Sequence, residues 1–348
     1  MQRNRWGRWL AGAAVISLIV TGCAKSSGAT PSPTATAAAA SSGPVASGSS
    51  APAGSAAAAA PATCKGDGSK GAVKMMINQW VGAAANVAVA QCLLQQMGYK
   101  VTTSTLAEQV AWQGFQTGEV DVILENWGHP DLEKTYITDK KLAQDDGPNG
   151  VTGIIGWYVP GWMIDKYPDM ADWHNLNKYA DLFKTSESGD KGQFLGSDPT
   201  FVQYDEALIA NLNLNFKDVF SGSEAATITA FQQADKNKTP LIGYFYDPQW
   251  LLNEIKLVQI HLPPYVSGCD ADLKKVACDY PPYILNKIVR TKFATDGGNA
   301  ATFIKNFKWA NADQNAVADA ITNKNMTPEA AAKQWIDANP AKWQAWIP

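Results

Sequence analysis

Short apolar runs alternate with helical patterns from about Lys70 onward, and this alternation limits the fold more than any other feature of the chain. AVKMMI predicts a strand, GAAANVAVAQCLLQQMG predicts a helix that ends at Gly98, and YKVTTSTL predicts a second strand. A second helix, AEQVAWQGFQTGE, and a third strand, VDVILENW, follow. Because strands and helices alternate with short connections, we expect an α/β protein with a parallel sheet.

The second half of the chain repeats this alternation and then returns to the first half. GIIGWYVPGWMI is typical of two edge strands or of a crossover between domains, and YPPYILNKIV is typical of a strand that returns to the first domain. We therefore predict two α/β lobes between which the chain crosses twice. Lobe I comprises residues 70–160 and 280–348, and lobe II comprises residues 161–279.

The N-terminus has the pattern of a targeting segment. Arg3, Arg5 and Arg8 precede the apolar stretch WLAGAAVISLIV, which is shorter than the roughly 20 residues that a spanning helix needs. A Thr-Gly pair directly before Cys23 resembles a bacterial lipoprotein cleavage site. We predict a signal peptide over residues 1–23 and a lipidated Cys23 that attaches the protein to the outer face of the membrane. The alternative is a secretory signal with an incidental thiol.

Residues 24–63 consist almost entirely of Ala, Ser, Pro, Gly and Thr. Such a segment buries too little apolar surface to offset its ordering entropy, so we predict a disordered tether over residues 24–69. As a flexible coil of about 40 residues it would span roughly 35 Å. The folded part would then lie just outside the membrane.

Four cysteines remain, and an even number in an exported protein indicates disulfides. Cys269 and Cys278 bracket a short, turn-rich stretch and pair most naturally, which leaves Cys64 to pair with Cys92. This is one of three possible pairings. Zinc binding is disfavoured, because none of the histidines lies near a CxxC motif.

Tryptophan is unusually frequent, with 13 residues in a chain of 348 and a net charge of only −3. The near-neutral charge argues against nucleic-acid binding. The tryptophans either pack in the hydrophobic core or stack on a ligand. Their positions along the predicted elements distinguish these two roles. Aromatic residues are predicted at four strand ends, at Trp80, at Trp127, at Phe201 with Tyr204, and at Tyr244 to Tyr246. Ligands of parallel sheets bind beyond the carboxyl ends of the strands, so we predict a ligand cleft at these residues.

Several aromatic faces around one cleft suit a cation that cannot donate hydrogen bonds. A trimethylammonium group is attracted to the ring faces and fills the space between them with its methyl groups. Stacking on sugar rings is a competing use of such residues.

Residues 72–348 resemble the substrate-binding proteins of ABC transporters for glycine betaine and related quaternary amines. FQTGEVDVILENWGHPD is similar to the family segment that supplies a cage tryptophan, here Trp127, and a histidine near the carboxylate end of the ligand, here His129. GSDPTF matches a loop with another cage ring, here Phe201, and YFYDPQW places Tyr246 at the third wall, with Trp250 behind it. AAKQWIDANPAKWQAWI is similar to the C-terminal helix of the family.

The resemblance implies a two-lobe, type II periplasmic-binding-protein fold, hinged by two crossover strands. It also implies a solute-binding protein without catalytic residues, metal or cofactor, which delivers its ligand to the transmembrane permease of an ABC importer. The predicted ligand-binding residues are Trp80, Trp127, His129, Phe201, Tyr204 and Tyr246. Three of them have structural alternatives: Trp80 as a lining residue only, Tyr204 as an inward-packed start of a helix, and His129 as a capping or packing residue in its turn.

The particular ligand stays open. Phe201 and Tyr246 occupy positions where the family has tryptophan, and the loop around Phe201 lacks the glycines that hold the ligand carboxylate in relatives. Glu125 and Asp247 either favour choline or serve as solvated or capping acids. The rivals are a binding protein for another solute, such as choline, carnitine, proline or a sugar, and an exported enzyme. The second is weakly supported, because the chain has no G-x-S-x-G, H-E-x-x-H or P-loop motif.

Overall fold

A computed structural model describes residues 64–348, so the predicted signal peptide, Cys23 and most of the predicted tether lie outside the described residues. The strands are β1 Ala72–Ile77, β2 Lys100–Thr105, β3 Val122–Asn126, β4 Ala143–Pro160, β5 Gly192–Gly196, β6 Phe216–Phe220, β7 Gly243–Asp247, β8 Leu257–Gln259 and β9 Pro282–Arg290. The helices are α1 Val81–Gln96, α2 Glu108–Thr117, α3 Pro130–Glu133, α4 Gly161–Lys166, α5 Leu176–Tyr179, α6 Asp205–Asn211, α7 Glu224–Asn237, α8 Thr291–Asp296, α9 Gly298–Asn306, α10 Asn311–Thr322, α11 Pro328–Ala338 and α12 Pro340–Trp343. None of the helices within this range is both long enough and apolar enough to cross a membrane.

The strands form one mixed sheet in the order β2-β1-β3-β9-β4-β7-β5-β6, and β8 pairs with β4. Strand β1 runs parallel to β2 and β3, and β5 runs parallel to β6 and β7, as the strand–helix alternation predicts. The pairs β3–β9, β4–β9 and β4–β7 are antiparallel, so the parallel portions that the alternation predicts are joined through an antiparallel centre. The reason is that β4 and β9 carry the chain out and back and therefore run in opposite directions.

Strand β4 connects the two halves of the sheet. Its first part, from Ala143 to Ile154, pairs with β9, and its last part, from Ile154 to Pro160, pairs with β7 and β8. GIIGWYVP therefore belongs to one long crossover strand, which leads into α4, and not to two edge strands. The fold is the two-lobe α/β fold with two crossover strands. The residue boundaries of the lobes stay a prediction.

Helix α1 is buried on nearly all sides because its sequence is apolar on nearly all sides. Ala85, Val89, Ala90 and Leu94 are fully buried. The helix packs against β1 and β2 on one side and against α10 and α11 on another. A helix without a polar face must be covered in this way, so the C-terminal helices complete the core around α1.

The segment TPLIGYFYDPQW differs from its prediction. We expected an apolar strand before Tyr244, but β7 begins at Gly243 and includes the aromatic residues. Residues Gly243 to Asp247 pair with β4. The aromatic side chains of this segment are buried, so they belong to the strand and not to the loop after it. Tyr246 still lies at the end of its strand, next to the final residue, Asp247.

Two disulfides cross-link the described part of the chain. Cys64 bonds to Cys92 and Cys269 bonds to Cys278, which is the pairing that the spacing favoured. The first ties the entry of the folded region to α1. The second closes the turn-rich loop before β9.

Candidate ligand-binding site

Four aromatic rings from separate segments meet at one place. Trp80 lies between β1 and α1, Trp127 follows β3, Phe201 lies on the loop after β5, and Tyr246 lies in β7. All four side chains are buried. The strand ends that the sequence predicted to carry aromatic residues therefore bring these rings together.

The rings stand as adjacent walls around a small cavity. Trp80 lies 5.3 Å from Phe201 and 6.4 Å from Trp127, measured between ring centroids, with interplanar angles of 85° and 88°. Trp127 lies 5.5 Å from Tyr246 at 81°. The remaining lining residues are Glu108, Ile155, Val202 and Tyr244. A concave, mostly apolar lining with few polar groups is typical of small-molecule sites.

A glycine in the crossover strand makes room for the Trp127 ring. A Cβ atom on Gly153 would lie 2.3 Å from Cζ3 of Trp127, closer than atoms can approach. On another side, the ring of Tyr283 lies 5.8 Å away and tilted by 54°. Strands β4 and β9 thus hold the Trp127 indole in place from behind.

The loop that carries Phe201 is shaped by Asp198. The carboxylate of Asp198 accepts hydrogen bonds from the backbone N–H and the hydroxyl of Thr200, at 2.8 and 2.7 Å. Its backbone carbonyl accepts from the N–H of Phe201 at 3.0 Å. Asp and Asn close turns in this manner, and the turn directs Phe201 towards Trp80.

A buried carboxylate supports Trp80. The indole N–H of Trp80 donates to Oε2 of Glu125 at 2.9 Å, and the side-chain amide of Gln314 donates to Oε1 at 3.0 Å. Burial raises the pKa of Glu125 to about 7, although both hydrogen bonds oppose this shift. Glu125 therefore acts on the site through Trp80 and does not line the cavity.

A second buried carboxylate supports Tyr246. The Tyr246 hydroxyl donates a short hydrogen bond to Oε1 of Glu224, which begins α7. Burial raises the pKa of Glu224 above its ordinary value. Asp247, which follows Tyr246, accepts from the side chain of Asn311 at 3.3 Å and is not among the lining residues.

Glu108, the first residue of α2, brings the only carboxylate among the lining residues of the described chain. Its Oε1 accepts from the amide of Asn78 at 3.2 Å, and its Oε2 lies 2.8 Å from Nε2 of His129. Burial lowers the pKa of His129, but the nearby carboxylates of Glu108, Asp131 and Glu133 together outweigh burial and raise the pKa above its usual value. His129 thus lies behind Glu108, outside the cavity lining.

Tyr204 does not reach the cavity. Its ring stacks on Tyr280 at 4.1 Å between centroids, and its hydroxyl donates to the backbone carbonyl of Asp279 at 3.2 Å. The hydroxyl of Tyr280 also accepts from the N–H of Tyr204 at 3.1 Å. These contacts hold the ring against the segment before β9, which corresponds to the packing alternative considered for this residue.

Five residues of the site are absent from the residues that the sequence predicted: Glu108, Ile155, Val202, Gln314 and Glu224. Glu108 had a usable signal, since it begins a helix directly after the carboxyl end of β2. Gln314 and Glu224 had none, because Gln314 meets Glu125 from 189 positions away and Glu224 meets Tyr246 from a different element 22 positions away.

Known proteins share both the sequence pattern and this fold. Residues 71–338 match the OpuAC family, the substrate-binding domain of ABC-type glycine betaine transport systems. The trimethylamine N-oxide-binding protein of Pelagibacter ubique (strain HTCC1062) is 25% identical over 287 residues, which are 79% of this chain and 90% of that protein.

Solved structures agree with this match. Lactococcal OpuAC in its closed-liganded conformation, complexed with glycine betaine, has a TM-score of 0.62 and 25% identity, over 80% of this chain and 99% of that chain. An ABC-transporter choline-binding protein in complex with choline shares the fold, with a TM-score of 0.64, 18% identity and coverage of 79% and 91%. The family consists of solute-binding proteins and not of enzymes. Because the family match spans most of the chain, this protein belongs to the substrate-binding domains of ABC-type glycine betaine transport systems.

Proposed function

We propose that the protein captures a small quaternary or fully methylated amine in an aromatic cage and delivers it to the permease of an ABC importer. The cage consists of Trp80, Trp127, Phe201 and Tyr246. The lobes close over the ligand by a hinge motion at the crossover strands. The ligand stabilises the closed state because only that state surrounds it with all four rings.

The convergence of these four rings on one small cavity carries the proposal. Each desolvated ring contributes up to roughly 2 kcal/mol to the binding of a methylated cation. Three or four rings supply most of the roughly 8 kcal/mol that micromolar affinity requires. Ring centroids 5.3 to 6.4 Å apart leave walls that a trimethylated head can contact on several sides at once.

The charge of the lining suggests which amines fit best. Glu108 contributes a carboxylate, and no lysine, arginine or histidine of residues 64–348 lines the cavity. A ligand with a carboxylate arm would lack a cationic partner there, whereas choline, which has no anionic group, needs none. We therefore propose choline-like ligands as candidates, beside glycine betaine and the N-oxide for which a relative is named.

The proposed location follows from the N-terminal sequence. Lipidated Cys23 would anchor the protein to the outer face of the cell membrane, and residues 24–69 would tether the folded part near the permease. Mass spectrometry of membrane-extracted protein tests this proposal. A mature chain that begins at an unmodified residue other than Cys23 would contradict it.

Calorimetric titration tests the proposed ligand class. The panel comprises glycine betaine, choline, carnitine, trimethylamine N-oxide, proline and trehalose, each added to the purified folded region. We expect binding of at least one methylated amine with micromolar affinity and no heat from trehalose. Heat from trehalose or proline alone would refute the proposal.

A further inference from the structure

The start of helix α1 is capped from the opposite side of the cavity. The backbone N–H of Val81, the first residue of α1, donates to Oε2 of Glu224 at 2.8 Å. Helix α1 has no cap of its own, because the side chain of Trp80 forms no capping hydrogen bond and the first turn contains no acidic residue. The orphan N–H groups of a helix start are usually satisfied by nearby residues, but Glu224 lies 143 positions further along the chain.

The other oxygen of Glu224 belongs to the cage. Oε1 accepts from the hydroxyl of Tyr246 and from the side-chain amide of Gln249, the latter at 3.1 Å. Glu224 itself is 8% exposed. One buried carboxylate therefore joins a cage ring to the helix that directly follows another cage ring, Trp80.

These partners lie in different predicted lobes. Val81 begins the helix that packs on β1 and β2, whereas Glu224 begins α7 and Tyr246 lies in β7. Separation of the lobes would break the contact with Val81 and leave the contact with Tyr246 intact. A hydrogen bond from a helix start to a buried carboxylate is stronger than one between neutral groups on the surface.

A weaker contact spans the same cleft. The hydroxyl of Thr200 lies 3.5 Å from Oε1 of Gln79, and both residues are neutral. The two side chains lie at the exposed edge of the cleft, on opposite sides of it. The distance between them therefore reports whether the cleft is closed.

We propose that Glu224 is a positioning residue that holds the two lobes closed by capping α1 across the cleft and that fixes the hydroxyl of Tyr246 in the closed state. This inference rests on the proposed function in that closure serves ligand capture. In the open state, water replaces Glu224 at the N–H of Val81, so the closed state loses its relative stability when the carboxylate is removed. A lower closed population weakens the apparent affinity by the same factor.

Two variants perturb the contact from its two ends. Glu224→Gln keeps the size of the side chain and an acceptor oxygen but removes the charge, so it weakens the contact. Val81→Pro removes the donor N–H and places its ring Cδ where that hydrogen pointed, so it abolishes the contact and displaces the Glu224 carboxylate. Proline is well tolerated at the first helical position, and the extended backbone of Trp80, with φ −134° and ψ 155°, suits a residue before proline. Asp235→Asn, which changes a surface acid of α7 paired with Lys238, is the matched control.

Closure is measured without ligand by cross-linking. In a Gln79→Cys/Thr200→Cys background, a short bis-maleimide traps the closed state, and mass spectrometry follows the rate. The four cysteines of residues 64–348 do not react, since they are disulfide-bonded, and Cys23 is changed to serine in every sample. We expect Glu224→Gln and Val81→Pro each to slow cross-linking about tenfold, and the double variant to be little slower than Val81→Pro alone, because both changes act on the same contact.

Affinity is then compared with choline and glycine betaine as probes. The two variants should weaken the binding of either probe about tenfold, with thermal unfolding midpoints close to that of the parent. Failure of the probes to bind the parent would refute the proposed function but leave the cross-linking result as an independent test. Cross-linking of both variants at the parent rate, or a parent that does not cross-link at all, would overturn the role of Glu224.

Discussion

The indole N–H of Trp80 donates a 2.9 Å hydrogen bond to the buried carboxylate of Glu125, so a wall of the cavity is held by an acid whose pKa is about 7. Burial is the main cause of this raised pKa. The hydrogen bond therefore links the Trp80 ring to a group that titrates near neutral pH.

This pair predicts a dependence of stability on pH. The folded pKa of Glu125 is raised from 4.5 to about 7, so its contribution to the free energy of unfolding is present below pH ~4.5 and is lost as pH rises through about 7. Between pH 5 and pH 8, the loss of unfolding free energy is on the order of 2 kcal/mol.

Replacement of the acid tests this dependence. We expect the free energy of unfolding in urea to fall between pH 5 and pH 8, and to fall on the order of 2 kcal/mol further in the parent than in Glu125→Gln. Glu187→Gln, which changes an exposed acid, should behave like the parent. An equal decrease in the parent and Glu125→Gln would contradict the prediction.

Trp127 is expected to contribute directly to ligand affinity. Trp127→Ala removes the ring that contacts both Trp80 and Tyr246, so binding of a methylated amine should weaken by about 2 kcal/mol, or roughly thirtyfold. Trp173→Ala removes an indole that stacks on His174 instead, and should leave the affinity unchanged. Calorimetry measures both, and circular dichroism checks that each variant is folded. Unchanged affinity in Trp127→Ala would show that the cage lies elsewhere.

Substitutions of Phe201 and Tyr204 should affect ligand affinity differently, although both residues follow strand β5. Phe201→Ala removes a cavity wall and should weaken binding at least tenfold. Tyr204→Phe removes only the hydrogen bond to the carbonyl of Asp279, so the affinity should stay within about twofold of the parent. A strong loss of affinity in Tyr204→Phe would mean that this residue contacts the ligand after all.

Glu108 should discriminate between ligands by their net charge. Glu108→Gln removes the carboxylate of the cavity lining, so a net cation such as choline loses an attraction that a zwitterion such as glycine betaine feels only weakly. We expect choline affinity to fall about tenfold and glycine betaine affinity to fall less than about threefold. Titrations of the parent, Glu108→Gln and the exposed-site variant Glu119→Gln measure this difference. An equal loss for both ligands would exclude a charge effect.

The two disulfides should contribute unequally to stability. Cys64 and Cys92 are 28 positions apart and Cys269 and Cys278 are 9 apart, so the first closes the longer loop of the unfolded chain. Loop entropy predicts losses of about 3.5 and about 2.5 kcal/mol when each pair is changed to serine. Urea unfolding of the two double variants gives both values. A larger loss from the Cys269 and Cys278 pair would contradict this order.

Much of the fold could be predicted because it depends on residues close in the chain. The alternation of apolar runs with helical periodicity located β1, α1, β2, α2 and β3 and indicated the two crossings between lobes. The motifs around Trp127, Phe201 and Tyr246 pointed to the family for the same reason, since each motif is a short continuous segment. The spacing of the cysteines also favoured the disulfide pairs that form.

The tertiary structure decided what local patterns leave open. Whether Phe201 or Tyr204 faces the cavity depends on the turn at Asp198 and on a stacking partner, Tyr280, from a distant segment. The direction of β9 between β3 and β4 depends on sheet order, which no single segment encodes.

The buried acids illustrate the same division. Glu125 and Glu224 look like ordinary helix or strand residues in the sequence, and only folding brings them to the indole of Trp80 and the hydroxyl of Tyr246. Periodicity and turn chemistry act between neighbours, so the sequence alone determined the elements and the aromatic residues at their ends. Hydrogen bonds between residues far apart form only when the sheet and its helices are assembled, so the tertiary structure alone decided which of these residues form the site.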